Sequence, residues 1–148
     1  MKNINIEEFL SLEGYNTEVR KARRKNKGGT QEFFTPYSIV KKMCDKISDD
    51  IWKDNTKTFL EPCFGNGQFI IYIIYKRLIS GVNIYDALNT LYGTELMPDN
   101  VKETKERIYN LLDKMEVDYD KYKVENILNK NIKEANFFKW DYEQWKTL

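Results

Sequence analysis

Glu61-Pro62-Cys63-Phe64-Gly65-Asn66-Gly67-Gln68-Phe69 is the stretch on which the fold turns. It is preceded by Thr58-Phe59-Leu60 and followed by Ile70-Ile71-Tyr72-Ile73-Ile74-Tyr75. Residues 58–61 read as a short buried strand. Residues 68–79 read as a helix that is apolar almost all round, and such a helix is normally covered on several sides. The turn between them carries two glycines one residue apart, Gly65 and Gly67. Glycine lets a backbone bend sharply and lets a ligand approach without a Cβ in the way. The helix behind the turn presents free N–H groups and a partial positive charge, which suit a carboxylate or a phosphate. Any tight strand-to-helix turn can carry Gly-x-Gly, so the turn alone decides on no ligand.

Working outward, residues 83–91 fit a short helix capped by Asn83, and 91–96 a second strand. Pro98 opens a long amphipathic helix with Val101, Ile108, Leu111, Leu112 and Met115 inward. Lys102, Glu103, Lys105, Glu106 and Arg107 are assigned to its polar face. A helix over 119–128, a third strand over 132–138 and a short amphipathic tail over 139–148 complete the chain. Upstream, Ile39, Val40, Met43, Cys44 and Ile47 place a helix over 37–48, with Thr35 or Ser38 as its cap and Pro36 at its entry. Residues 49–57 read as polar punctuation, and 1–14 as an N-terminal helix. Strands alternating with helices imply an α/β fold with a three-stranded parallel sheet, one mononucleotide-binding half.

Between the N-terminal helix and the extended segment 30–36 lies a basic run containing Arg20, Lys21, Arg23, Arg24, Lys25 and Lys27. It reads either as a solvated arm or as an arm contacting nucleic-acid phosphates, and the two are compatible. The expected organisation is a helix and basic arm over 1–27, then one domain over 28–148. Over 148 residues the charges nearly cancel to +1, so net charge singles out no partner. Two cysteines and no histidine speak against a zinc site and against any Ser-His or Cys-His arrangement. No signal peptide is visible and the longest apolar run is far shorter than a bilayer span, so a soluble, cytoplasmic protein is expected.

Three features add weight to a ligand at the turn. Glu61, at the first strand's end, is placed to accept from an amino group. Glu95, at the second strand's end, is placed to take the two hydroxyls of a ribose. Phe33-Phe34-Thr35-Pro36 forms an aromatic segment able to close over a ligand. Singly, Glu95 is equally a solvated strand end and the phenylalanines are equally core.

Together these stretches resemble the N6-adenine DNA methyltransferases in which the cofactor region comes first, type I modification subunits among them. Gly29-Thr30-Gln31-Glu32-Phe33-Phe34-Thr35-Pro36 resembles their G-x-F-x-T-P segment. Glu61 through Phe69 resembles their D-P-x-x-G-x-G-x-F loop, with Glu in place of Asp. Gly93-Thr94-Glu95-Leu96 is similar to their second acidic strand, and Asn136-Phe137 falls where their third strand carries an Asp. The resemblance implies a partial Rossmann-like, S-adenosylmethionine-dependent methyltransferase fold. It implies that Phe34, Thr35 and Pro36 line the methionine side of S-adenosylmethionine, with Glu61, Gly65 and Gly67 around its amino acid moiety and Pro62 and Phe69 also at the cofactor. Glu95 would hold the ribose, Leu96 the adenine face, and Asn136 with Phe137 the adenine edge. DNA is the implied partner.

The family's catalytic Asn/Asp-Pro-Pro-aromatic motif, whose acceptors bind the target amine and whose ring stacks on a flipped base, has no counterpart. The three prolines Pro36, Pro62 and Pro98 are never adjacent. Pro62-Cys63 matches the nucleophile dipeptide of cytosine C5 methyltransferases, but it lies inside the cofactor turn. No residue is therefore assigned to catalysis and none to a metal. A three-stranded sheet would leave 58–61 at an edge, which the chain would resolve by a complementary catalytic subunit, by self-association, or by covering the edge with its N-terminal segment. Besides a third reading that keeps the fold for another enzyme, such as a small-molecule methyltransferase using its own residues, two functions stay open. One is the cofactor-binding part of a DNA adenine methyltransferase; the other is a non-catalytic relative binding cofactor or DNA in a regulatory or anti-restriction role.

Overall fold

The computed structural model describes residues 1–15, 17–25 and 32–146. Three short strands, β1 (Phe59–Glu61), β2 (Leu91–Glu95) and β3 (Ile132–Glu134), pair in parallel in the order β1-β2-β3. Phe59 stands opposite Leu91 and Gly93 opposite Ile132. Parallel neighbours need a crossover, and helices supply it: α5 (Gln68–Ile79) and α6 (Ile84–Asn89) between β1 and β2, α7 (Pro98–Lys114) and α8 (Lys121–Asn131) between β2 and β3. Ahead of the sheet come α1 (Ile6–Phe9), α2 (Glu18–Lys25), α3 (Tyr37–Cys44) and α4 (Asp49–Lys53). The molecule is thus α/β, a three-stranded parallel sheet flanked by helices, as the alternation of elements predicts. Among the described residues no helix is long and apolar enough to cross a membrane.

Ile70, Ile71 and Ile74 of α5 and Ile108, Leu111 and Leu112 of α7 are fully buried, and with Leu91 and Ile132 they form the core on one side of the sheet. Ile6 and Leu10, from the segment read as an N-terminal helix, belong to the same core. Side chains alternate along a strand, so Tyr92 emerges on the other face. There it meets Trp145, 5.2 Å between ring centroids, in a 3₁₀ turn over Tyr142–Trp145. Trp145 also contacts Trp140 and Tyr142, and its indole N–H donates to the Lys130 carbonyl. A short aromatic segment is therefore the cover on this second face.

Several boundaries differ from the sequence reading, each for a local reason. The helix expected over 1–14 is the single turn α1, capped by Asn5. The helix expected over 37–48 stops at Cys44, and neither Thr35 nor Ser38 caps it: Pro36 is the cap residue, with no side-chain bond. Residues 49–57 contain α4, whose Trp52 is buried and stacks on Phe59 at 5.1 Å. The fully buried Arg77 secures that short helix by donating to the Ile51, Trp52 and Asp54 carbonyls. β3 ends at Glu134 rather than 138, because the Asn136 side chain accepts from Phe138 N–H and turns the chain. Arg107, assigned to the polar face of α7, is buried. Asn83 does cap α6, accepting from Asp86 N–H.

β1 lies at the edge of the sheet, and its central residue Leu60 is half exposed rather than buried. Among the described residues, no hydrogen bond joins the N-terminal segment to that edge. That segment lies instead along the helical layer, with Lys2 N–H donating to Met115 O and Leu10 O accepting from Gln68. The C-terminal turn comes closer, bounding a groove of about 310 Å³ with Leu60, Tyr92, Tyr142 and Trp145 in its walls.

Candidate functional site

The turn from β1 into α5 is fixed from both sides. Thr94 on β2 donates its hydroxyl to Pro62 O at 2.6 Å, and Phe64 N–H donates back to Thr94 O. From α7, Thr104 donates to Gly65 O, and Arg107 donates to Asn66 O and to the Gln68 amide oxygen, both at 2.8 Å. Gln68 in turn donates to the Leu10 and Thr35 carbonyls, tying the turn to the N-terminal segment and to the aromatic segment ahead of α3.

The two glycines serve different ends. Gly67 has φ 93°, and a Cβ there would sit 2.7 Å from the Thr104 methyl, so it is glycine to let α5 pack on α7. Gly65 has φ 56°, and a Cβ there would meet the Phe34 ring at 3.3 Å and a Glu95 carboxylate oxygen at 4.0 Å. Of the two, Gly65 lines the space beside the turn, and Gly67, expected with it around a ligand, is not among the lining residues.

That space is two adjoining cavities sharing Phe33, Phe34, Cys63 and Gly65 as walls. The larger, about 300 Å³, adds Glu32, Glu95, Leu96 and Met97. Glu95 uses one oxygen to accept from Leu96 N–H at 2.8 Å, which holds its carboxylate at the head of β2. The smaller, about 100 Å³, is lined by Thr35, Glu61, Asn66 and Phe69 among others. Burial pushes the Glu61 carboxyl above its ordinary range; the Cys63 N–H it accepts from works against that, and the Glu95 charge adds to it.

Asn66 is 1% exposed, and neither atom of its side-chain amide has a hydrogen-bond partner among the described residues. A buried amide without partners costs on the order of 1–3 kcal/mol, and Asn66 carries that cost in the wall of the smaller cavity. The sequence reading missed Asn66, since only the fold reveals that its amide is buried and unpaired. It also missed Arg107 and Gln68, whose positioning roles depend on partners far along the chain.

Of the residues predicted to form the site, Phe34, Thr35, Glu61, Gly65, Phe69, Glu95 and Leu96 line these cavities. Pro36 serves as the α3 cap and Pro62 as an acceptor for Thr94, both beside the site rather than in its walls. Asn136 and Phe137 are not brought in: Asn136 is exposed and caps its own turn, and the Phe137 ring packs against Phe138 and Tyr142.

The basic run is not a free arm where it is described. Residues 18–25 form α2, and Arg20 is buried. Arg20 donates to Tyr15 O, to Asn100 at 2.7 Å and to Glu103, and its guanidinium lies over the Phe34 ring at 4.7 Å. Arg23 is bidentate to Glu32 and also holds Asp99, at 2.9 Å in each case. Arg24 donates to Glu32 O and lies over Phe33, while Lys21 pairs with Glu18. Arg20 and Arg23 thus act within the fold, as a clamp on the segment that carries Phe33 and Phe34, and the phosphate-contacting reading of these two is corrected. Lys25 is exposed. Lys27, and Gly29-Thr30-Gln31 of the aromatic motif, lie outside the described residues. Compared with models of protein families, with curated proteins and with solved structures, the chain finds no match in any of the three.

Proposed function

We propose that the chain binds S-adenosylmethionine in the paired cavities at the β1–α5 turn, as the cofactor-binding part of a Rossmann-like DNA adenine-N6 methyltransferase. The observation that carries this reading is that one small cavity has in its wall both Glu61 and Asn66, whose buried amide has no hydrogen-bond partner among the described residues. An amide with one donor side and one acceptor side, sharing a cavity with a carboxylate, matches a ligand end bearing both a carboxylate and an ammonium group. The adjoining cavity, with Glu95 at its head and Phe34 and Leu96 in its walls, suits a ribose and a flat ring. When bound, such a ligand supplies a methyl group on a sulfonium centre. The chain's own residues hold its ends: Glu61 and Asn66 the amino acid, Glu95 the hydroxyls, Phe34 the covering face.

Transfer to an adenine needs acceptors and a stacking ring that the three isolated prolines do not provide. We therefore place the catalytic loop outside residues 1–148, with the edge of β1 as the natural place to add a strand. Calorimetric titration of S-adenosylmethionine into wild type and Asn66→Ala tests the binding reading. Wild type is expected to bind with micromolar affinity, and the variant, its fold intact by circular dichroism, about tenfold more weakly. Equal affinity for both chains, or no binding by wild type, would remove the basis of the proposal.

A further inference from the structure

On the far side of α7, away from the turn, a groove of about 570 Å³ lies against the outer edge of β3. Its floor is apolar, with Pro98, Val101 and Ile132, and three lysines line it: Lys102, Lys105 and Lys133. Lys105 donates to the side-chain oxygen of Asn129 at 3.1 Å, and Lys133 donates to the backbone carbonyl of the same residue at 3.0 Å. One residue at the end of α8 thus gathers two ammonium groups that would otherwise repel. Neither of them forms an ion pair among the described residues; the third, Lys102, has only Glu106, 3.9 Å away on the exposed face of α7. The carboxylates nearby are Glu134, in the groove wall, and Glu125 on α8, which offsets part of the charge Lys105 meets. Burial and the Lys133 charge together pull the Lys105 ammonium below its ordinary range.

Two cations brought together with no ion pair of their own among the described residues, Lys133 over the Trp140 ring at 5.7 Å and Lys105 partly desolvated, are held at a cost that a bound anion would offset. A bare ammonium is a compact point charge, well suited to a phosphate oxygen. We propose that this groove is a phosphate-binding site, with Lys105 and Lys133 as its paired ammonium groups and Lys102 at its rim. The phosphate belongs either to a nucleic-acid backbone or to a small phosphorylated molecule. This site shares no lining residue with the cavities at the β1–α5 turn, so it stands or falls separately from the cofactor proposal.

The test is a set of ¹H–¹⁵N correlation spectra of the full chain, titrated in turn with inorganic phosphate, a single-stranded oligonucleotide and a duplex of the same sequence. The amides of Lys105, Asn129 and Lys133 are expected to shift with at least one probe. Lys105→Gln/Lys133→Gln should weaken that binding about tenfold and lower the salt slope of oligonucleotide binding by about 2. Lys133→Gln alone should give a smaller loss of the same sign, which guards against misfolding of the double variant. Lys42→Gln/Lys46→Gln, which removes the same charge from exposed positions outside the groove, should leave binding unchanged. Shifts with inorganic phosphate alone identify a small phosphorylated ligand, and shifts with oligonucleotides alone identify a nucleic-acid strand. The proposal is overturned if no probe moves those amides, or if both double variants lose binding equally.

Discussion

Glu61 is the residue whose placement has the clearest energetic signature. Its carboxyl is pushed above the ordinary range, first by burial and then by the Glu95 charge. A raised carboxyl pKa means that the folded chain resists ionisation more than the unfolded chain does. Well below the ordinary carboxylate range both states are protonated and no penalty exists. As pH rises through that range the unfolded state ionises first, and stability is lost until the folded carboxyl has ionised too. Glu61→Gln, which keeps an oxygen for the Cys63 N–H, should therefore raise Tm near pH 7 and leave it unchanged near pH 3. Thermal scans at the two pH values check this, and an equal change at both would show that the side chain is not strained by its charge. Glu61 was legible in the sequence because it ends a strand before a glycine turn. Asn66 was not, because an asparagine between two glycines reads as turn chemistry until the fold buries it.

At the scale of elements, α5 and α7 were legible from residue pattern alone: an unbroken apolar run in one, a helical stripe behind a proline in the other. α4 was not, because in Asp-Asp-Ile-Trp-Lys only Trp52 is buried, and a lone anchor has no periodicity. α2 was misread for a different reason. Its arginines look solvent-directed in sequence, yet their carboxylates come from residues as remote as Asp99 and Glu103. Local charge pattern carries no information about partners that topology alone brings close. Removing one member of such a buried cluster strands the others, so Arg20→Ala should destabilise the chain by about 3 kcal/mol in urea unfolding. If Arg20 were instead a surface contact for phosphates, the variant would unfold at the wild-type midpoint.

For the whole molecule, the sequence predicts the alternation of strands and helices and hence the parallel sheet, but not how the sheet's second face is closed. That closure comes from Trp140, Tyr142 and Trp145, aromatics spaced without regular period after the last strand. Trp145 is 9% exposed and touches Tyr92 directly, so Trp145→Ala should cost about 3 kcal/mol by chemical denaturation. A loss no larger than that of an ordinary surface substitution would mean that the segment rests on the sheet without supporting it.

The two faces of this sheet are not equally defended. One is sealed by helices whose contacts span the chain; the other is shut by a few rings near one end of it. Peeling back such a short segment breaks few contacts, so the amides of Gln144 and Lys146 and the indole N–H of Trp145 should exchange with solvent through partial opening, well before the amides of α5, whose exchange must await global unfolding. A partner that met β1 in that opened form would find its apolar face already bared.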